Sequence, residues 1–159
     1  MHTLANTAQN MTDITLYDFL LGMPGFCILR DDDLEILERI MRVDNYRHGH
    51  SFKTADNIYL IMDGEVAVTY HEESGHLQHD HAHRGDLFGL YSLIDTSKKS
   101  AHCTAISWVR AASLPRTAFE LLLRSSMPLS LHFQHIVENQ LARHAAESYI
   151  AARQQAYHN

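Results

Sequence analysis

The chain has 159 residues, 45% of them hydrophobic and 20% charged, with a formal net charge of −6 when histidine is neutral. That length suits one domain with enough residues to bury a real core. The acidic balance speaks against nucleic acid as the main partner, because phosphate backbones reward Lys and Arg, and no apolar run approaches a membrane span. The opening residues, MHTLANTAQNMTD, lack the charged-then-apolar pattern of a secretion signal. Cys27 and Cys103 have no metal-type spacing, so a reducing cytoplasm is the simplest setting.

Residues 1–14 read as a flexible arm and 15–159 as one domain. From Thr15 to Leu21, Leu16, Phe19 and Leu20 predict a short helix that stops near Gly22 and Pro24-Gly25. The stretch RDDDLEILERIMRV predicts a second helix. Asp31 or Asp32 can cap it, and Leu34, Leu37 and Met41, with Ile36 and Ile40 alongside, give it an apolar face.

The middle of the chain changes period. Gly49, Gly64, Gly75, Gly85 and Gly89 punctuate it, and no glycine follows. Such turn-dense sequence predicts strands, and the glycine-free tail predicts helices. NIYLIMDGEVAVTYHEESGHLQHDHAH holds strand-like runs joined at Glu72–Gly75, with Val66, Val68 and Tyr70 alternating and Asp63-Gly64 forming a turn or bulge. HCTAISWVRAASL adds two short strands. The expected fold is α+β: a small antiparallel β-barrel or jelly roll (a double-stranded β-helix), flanked by N-terminal helices, a short helix and a long C-terminal helix.

In the tail, Thr117 and Glu120 of RTAFELLLRSS have capping-box spacing, and Pro128 suits the first turn of the last helix. Phe133, Val137, Leu141, Ala145, Tyr149 and Ala152 form a narrow stripe. Its first two turns fit either the protein's own core or a partner helix, while the rest, to about residue 155, is expected to form a homodimer contact.

Histidine is unusually frequent, with 13 in the chain. His79, His81 and His83 recur at i, i+2, i+4, which places them on one face of a strand. Imidazoles so placed can bind a divalent metal. The plainer reading is a solvated or pH-responsive face. His102-Cys103 is not expected to act as a nucleophile and base, because neighbours in a strand face opposite ways.

The ordered motifs IYLIMDGEVAV (Ile58–Val68), RGDLFGLYSLI (Arg84–Ile94), KSA (Lys99–Ala101) and the closing RTAFELLLRSSMPLSLHFQHIVENQLAR resemble the cyclic-nucleotide-binding domain. More narrowly, they are similar to the effector half of the catabolite-activator/fumarate-nitrate-regulator family, over roughly residues 15–150. The resemblance implies a short turn after Phe88-Gly89 whose backbone donors hold a cyclic phosphate. Gly89 and Ala101 would offer backbone contacts, Ser100 a hydroxyl and Lys99 a cation, with Leu90 beside them. Arg143 and His144, on the final helix, would close the far side.

Two positions depart from the family pattern. Leu90 stands where a Glu would accept the ribose 2′-hydroxyl, and an unpaired buried hydroxyl costs about 1–3 kcal/mol. Lys99 stands where an Arg would fork around the phosphate, and lysine is only a point charge. Ordinary cyclic AMP binding is therefore expected to be weak. DNA-binding members continue into a helix-turn-helix domain, and this chain stops at Asn159, so direct operator binding is not expected.

Three readings stay open. The first is a non-enzymatic sensor that binds a cyclic nucleotide or other small anion, dimerises and addresses a regulatory protein partner. The second is a cupin-like metalloprotein, and the third a ligand-free interaction scaffold.

Overall fold

The structure, a computed structural model, describes residues 14–23, 29–71, 75–89, 102–125, 127, 129–136, 138–139, 142, 150 and 153–154. Helix α1 spans Leu16–Gly22, and the Thr15 hydroxyl accepts from the Asp18 N–H at 3.1 Å to cap it. Helix α2 spans Asp31–Ile40. Its N-cap is Arg30, so Asp31 and Asp32 lie inside the first turn, where they favour the helix through its dipole and not through a cap.

Among the described residues seven strands follow: β1 (Arg42–Tyr46), β2 (Asn57–Asp63), β3 (Val66–His71), β4 (Leu77–Ala82), β5 (Leu87–Phe88), β6 (His102–Ala105) and β7 (Val109–Pro115). Every described pairing is antiparallel, in two sheets of order β1-β7-β2-β5 and β4-β3-β6. The hairpin expected around Glu72–Gly75 forms, with Val66 opposite Ala82 and His71 opposite Leu77. Asp63-Gly64 marks the expected irregularity, since the β2–β7 register shifts between Ile61 and Asp63.

Among the described residues the sheets remain open at their edges, so the jelly roll is not a closed barrel. β5 contributes only two residues, and β4 lies at an edge. The chain links the sheets just after β1, where the Gly49 N–H donates to Ala105 O at 2.7 Å and Phe52 N–H to Cys103 O at 2.9 Å.

The alternation of β2 divides the interior. Ile58, Leu60 and Met62 face Leu16, Phe19 and Leu20 of α1, Leu34 and Leu37 of α2, and Leu129 and Phe133 of the tail. Tyr59 and Ile61 point the other way, to Phe52, Val66, Val68, Phe88 and Cys103 between the sheets. Burial on both faces explains why this strand reads as a continuous apolar run.

Helix α3 spans Arg116–Ser125. Thr117 is its second residue and is exposed, so the capping box anticipated at Thr117 and Glu120 does not start the helix. Beyond it, residues 129–136 are helical, and Leu129, His132 and Phe133 are buried. The first turns of the tail thus lie on the protein's own core. Val137, Leu141, Ala145, Tyr149 and Ala152 fall outside the described residues.

Candidate ligand-binding site

The RGDLFG motif builds a turn and then a short strand. The Asp86 carboxylate is buried and accepts from the His83 N–H at 2.8 Å, while the Asp86 N–H donates to His83 O at 2.9 Å. This reciprocal pair closes the β4–β5 turn around Arg84-Gly85. Gly85 N–H donates to Ile61 O and Ile61 N–H to Asp86 O, at 2.8 and 3.0 Å, which lays β5 on β2. Arg84 itself sits over the Phe19 ring, 5.3 Å from its centre.

Leu87 and Phe88 then bury on opposite faces of the sheet. Phe88 stacks on Tyr59 at 4.9 Å and 10°, and meets Phe52 edge-on at 4.9 Å. Tyr46 and His50 extend the cluster towards solvent, with ring centres 4.8 Å apart. Burial pushes the Tyr46 and Tyr59 hydroxyl pKa values up, so both phenols stay protonated. Sequence reasoning missed this cluster because its rings come from four separate segments.

Gly89 ends the described part of the motif. It is buried with φ +93, and a Cβ there would stand 2.8 Å from Asn57 O. The close backbone approach that this glycine permits is therefore to the first residue of β2. Its carbonyl accepts from Arg116 Nη2 at 2.6 Å, and the same nitrogen donates to Thr54 O at 2.8 Å. Leu90, Lys99, Ser100, Ala101, Arg143 and His144 lie outside the described residues. A separate cleft of about 630 Å³ lies on the helical side of the sheet, between Phe19 and Met23 of the N-terminal region, the Arg84–Asp86 turn and Ile136.

The histidine row takes the solvent face of the second sheet. His79 and His81 stand opposite Thr69 and Ala67 on the outer side of β4, and His83 follows the strand; all three are exposed. The His81 and His83 rings are 6.5 Å apart, and His83 Nδ1 is 3.9 Å from Glu65 Oε1. Among the described residues no group of three His, Cys, Asp or Glu side chains could hold a metal ion. A metal centre at His79, His81 and His83 is thus not supported, because an extended strand spreads the rings along a wet surface instead of converging them.

His102 is exposed and Cys103 buried, on opposite faces of β6. Burial pushes the Cys103 thiol up to about 12, far from a reactive thiolate. Alkylation at neutral pH should therefore leave Cys103 unmodified in the folded protein and modify it fully in denaturant. Peptide mass spectrometry reads this directly, and fast labelling of the folded form would contradict the burial.

Comparisons with known proteins agree with the architecture. Residues 50–126 match the cyclic nucleotide-binding domain family. The chain is 29% identical over 110 residues to a cAMP-dependent protein kinase regulatory subunit of Eremothecium gossypii, covering 67% of this chain and 23% of that protein. It superimposes on the catabolite activator protein of Thermus thermophilus with a TM-score of 0.60 at 19% identity, covering 82% of this chain and 63% of that one. The regulatory subunit of a cAMP-independent protein kinase A from Trypanosoma cruzi, bound to guanosine, gives 0.61 at 21% identity, covering 94% and 53%.

The two open sheets, the Gly-Asp turn and the helical flanks define a domain of jelly-roll type. Residues 50–126, just under half of the chain, are thus similar to the cyclic nucleotide-binding domain, and the fold is that of the solved structures above. It spans about a quarter of the curated relative's length. Among the described residues, no helix is long and apolar enough to cross a membrane.

Proposed function

We propose that this chain is a regulatory binding module, not an enzyme, whose site for a small anionic ligand of nucleotide type begins at Gly89. The observation that carries the reading is the fixed Phe88-Gly89 joint. Phe88 is locked among rings, and the Gly89 carbonyl is held by Arg116 where the backbone passes close to Asn57, inside the segment that matches the family. A rigid joint at that point gives the following residues a defined start.

In this reading Gly89, Leu90, Ser100 and Ala101 surround the anionic group, Lys99 supplies the charge, and Arg143 and His144 of the tail complete the far side. The apolar Leu90 disfavours a ribose 2′-hydroxyl, and Lys99 replaces a bidentate clamp with a point charge. Cyclic AMP is therefore a weaker ligand here than nucleotides that make fewer demands at the ribose. Guanosine, the nucleoside bound to the Trypanosoma cruzi regulatory subunit, keeps the ribose hydroxyls and carries no phosphate, so it serves as the neutral comparison.

The tail carries the response. Met127 and Leu131, one helical turn apart, are exposed while Leu129 and Phe133 are buried. The outward pair suits contact with a second copy or a regulatory partner.

Thermal melting against cAMP, cGMP, cyclic di-GMP and guanosine tests the proposal. A ligand at about 100 times its Kd stabilises by about 2.7 kcal/mol, a rise of roughly 5–10 °C for a domain of this size. At least one of the three cyclic nucleotides should give such a shift, with cAMP below the best, and a shift with guanosine alone would overturn the anionic reading. Flat curves at millimolar concentration for all four would end the nucleotide reading.

A further inference from the structure

We infer that Arg116 is a positioning residue that couples the segment starting at Gly89 to the helical tail. The inference rests on the reading of that segment as the ligand site. Arg116 is the first residue of α3, directly after β7. Its side chain joins two backbone segments far apart in the chain. Nη2 donates to Thr54 O at 2.8 Å, in the loop before β2, and to Gly89 O at 2.6 Å, after β5. Its own N–H donates to Asp56 O at 2.9 Å. One residue therefore ties the β1–β2 loop, the head of the candidate binding segment and the start of a helix.

Both side-chain bonds are charge-assisted and partly buried, which makes them stronger than ordinary surface hydrogen bonds. The Gly89 backbone has little room to drift while they hold, since it passes so close to β2 that a Cβ there would stand 2.8 Å from Asn57 O. One turn into α3, Phe119 packs edge-on against Phe133 of the tail, with ring centres 5.1 Å apart at 79°. The contact path thus runs from the Gly89 carbonyl through the guanidinium to α3, and from Phe119 to the tail. Each link is a packed or hydrogen-bonded contact of the kind through which coupling travels. A ligand that shifts the Gly89 peptide would act on Arg116 first, and through it on the pitch of α3 against the tail.

Hydrogen–deuterium exchange on the full chain tests this in two arms, with wild type, Arg116→Met and Arg116→Lys. Methionine keeps the aliphatic stem and removes the donors; lysine keeps a cation with fewer of them. Without ligand, Arg116→Met should speed exchange by about tenfold over residues 54–57, 87–89 and 116–119, with β3 and β6 unchanged. Lysine should lie between methionine and wild type. A uniform rise across all strands, or no change, would overturn the inference.

The second arm adds whichever of cAMP, cGMP, cyclic di-GMP or guanosine raises the wild-type melting temperature. That ligand should slow exchange over 129–136 in wild type. In Arg116→Met it should still slow 87–89 but no longer reach 129–136, and protection that still reaches 129–136 would overturn the coupling. If no member of the panel binds wild type, the proposed function fails, while the ligand-free arm still decides the role of Arg116. Should Arg116→Met not fold, Arg116→Lys carries both arms: intermediate rates support the inference, and wild-type rates overturn it.

Discussion

Phe88→Ala is expected to destabilise the protein by about 3–5 kcal/mol, the usual cost of truncating a fully buried aromatic. Phe88 is 0% exposed, stacked on Tyr59 and edge-on to Phe52. The loss should exceed that of an isolated ring, because β5 has only two residues and two backbone pairs with β2, Tyr59–Phe88 and Leu60–Leu87. Removing one anchor leaves Leu87 alone to hold the strand. The melting temperature should fall by roughly 10 °C or more, and Phe88→Leu should recover a large part of the difference. Thermal unfolding followed by circular dichroism measures both. A Phe88→Ala variant melting alongside wild type would show that the ring cluster does not hold β5.

The second large effect is expected at Gly89→Ala. An L-residue pays about 1–2 kcal/mol to enter the left-handed region, and Gly89 has φ +93. The added methyl would also meet Asn57 O at 2.8 Å. That oxygen is backbone and cannot rotate away, since Asn57 opens β2 and pairs with Pro115. Overpacking of this kind adds about 1–3 kcal/mol. A total near 3 kcal/mol should appear as a lower urea midpoint with an unchanged slope. Relief of the clash by a shift of Gly89 away from Asn57 would strain its bond to Arg116, so the ligand response should weaken as well. A variant with wild-type stability and ligand response would show that the joint is not held as described.

Much of this fold could be read from the chain before any coordinates. The alternation of Val66 and Val68 and the Glu72–Gly75 turn predicted the β3–β4 hairpin, because a half-buried strand writes its burial into a period of two. Leu16, Phe19 and Leu20 likewise announced α1. β1 left no such trace. RVDNY is polar and only partly buried, and it becomes a strand by pairing with β7 some 65 residues later. The helix starts were misplaced for a related reason. Asp31 and Thr117 suit caps, but Arg30 and the β7–α3 junction took the boundaries.

The candidate site was legible only in outline. GDLFG located the turn, and the structure explains its parts: Asp86 closes the turn, Phe88 fills the interior and Gly89 passes close to β2. The role of Arg116 was hidden, since its partners Thr54 and Gly89 lie 62 and 27 residues away and no local pattern links them. The histidine row was visible at once, yet its alternation said only that the rings share a face. Exposure of His79, His81 and His83 decided that the face is the wet one.

β2 is a partition wall with no outer side. From Ile58 to Met62 its side chains serve two rooms in turn, the helical one and the one between the sheets. Sliding this wall by a single residue would send every occupant into the wrong room at once. Neither room can be furnished separately, so the helices and the sheets are expected to melt in a single transition.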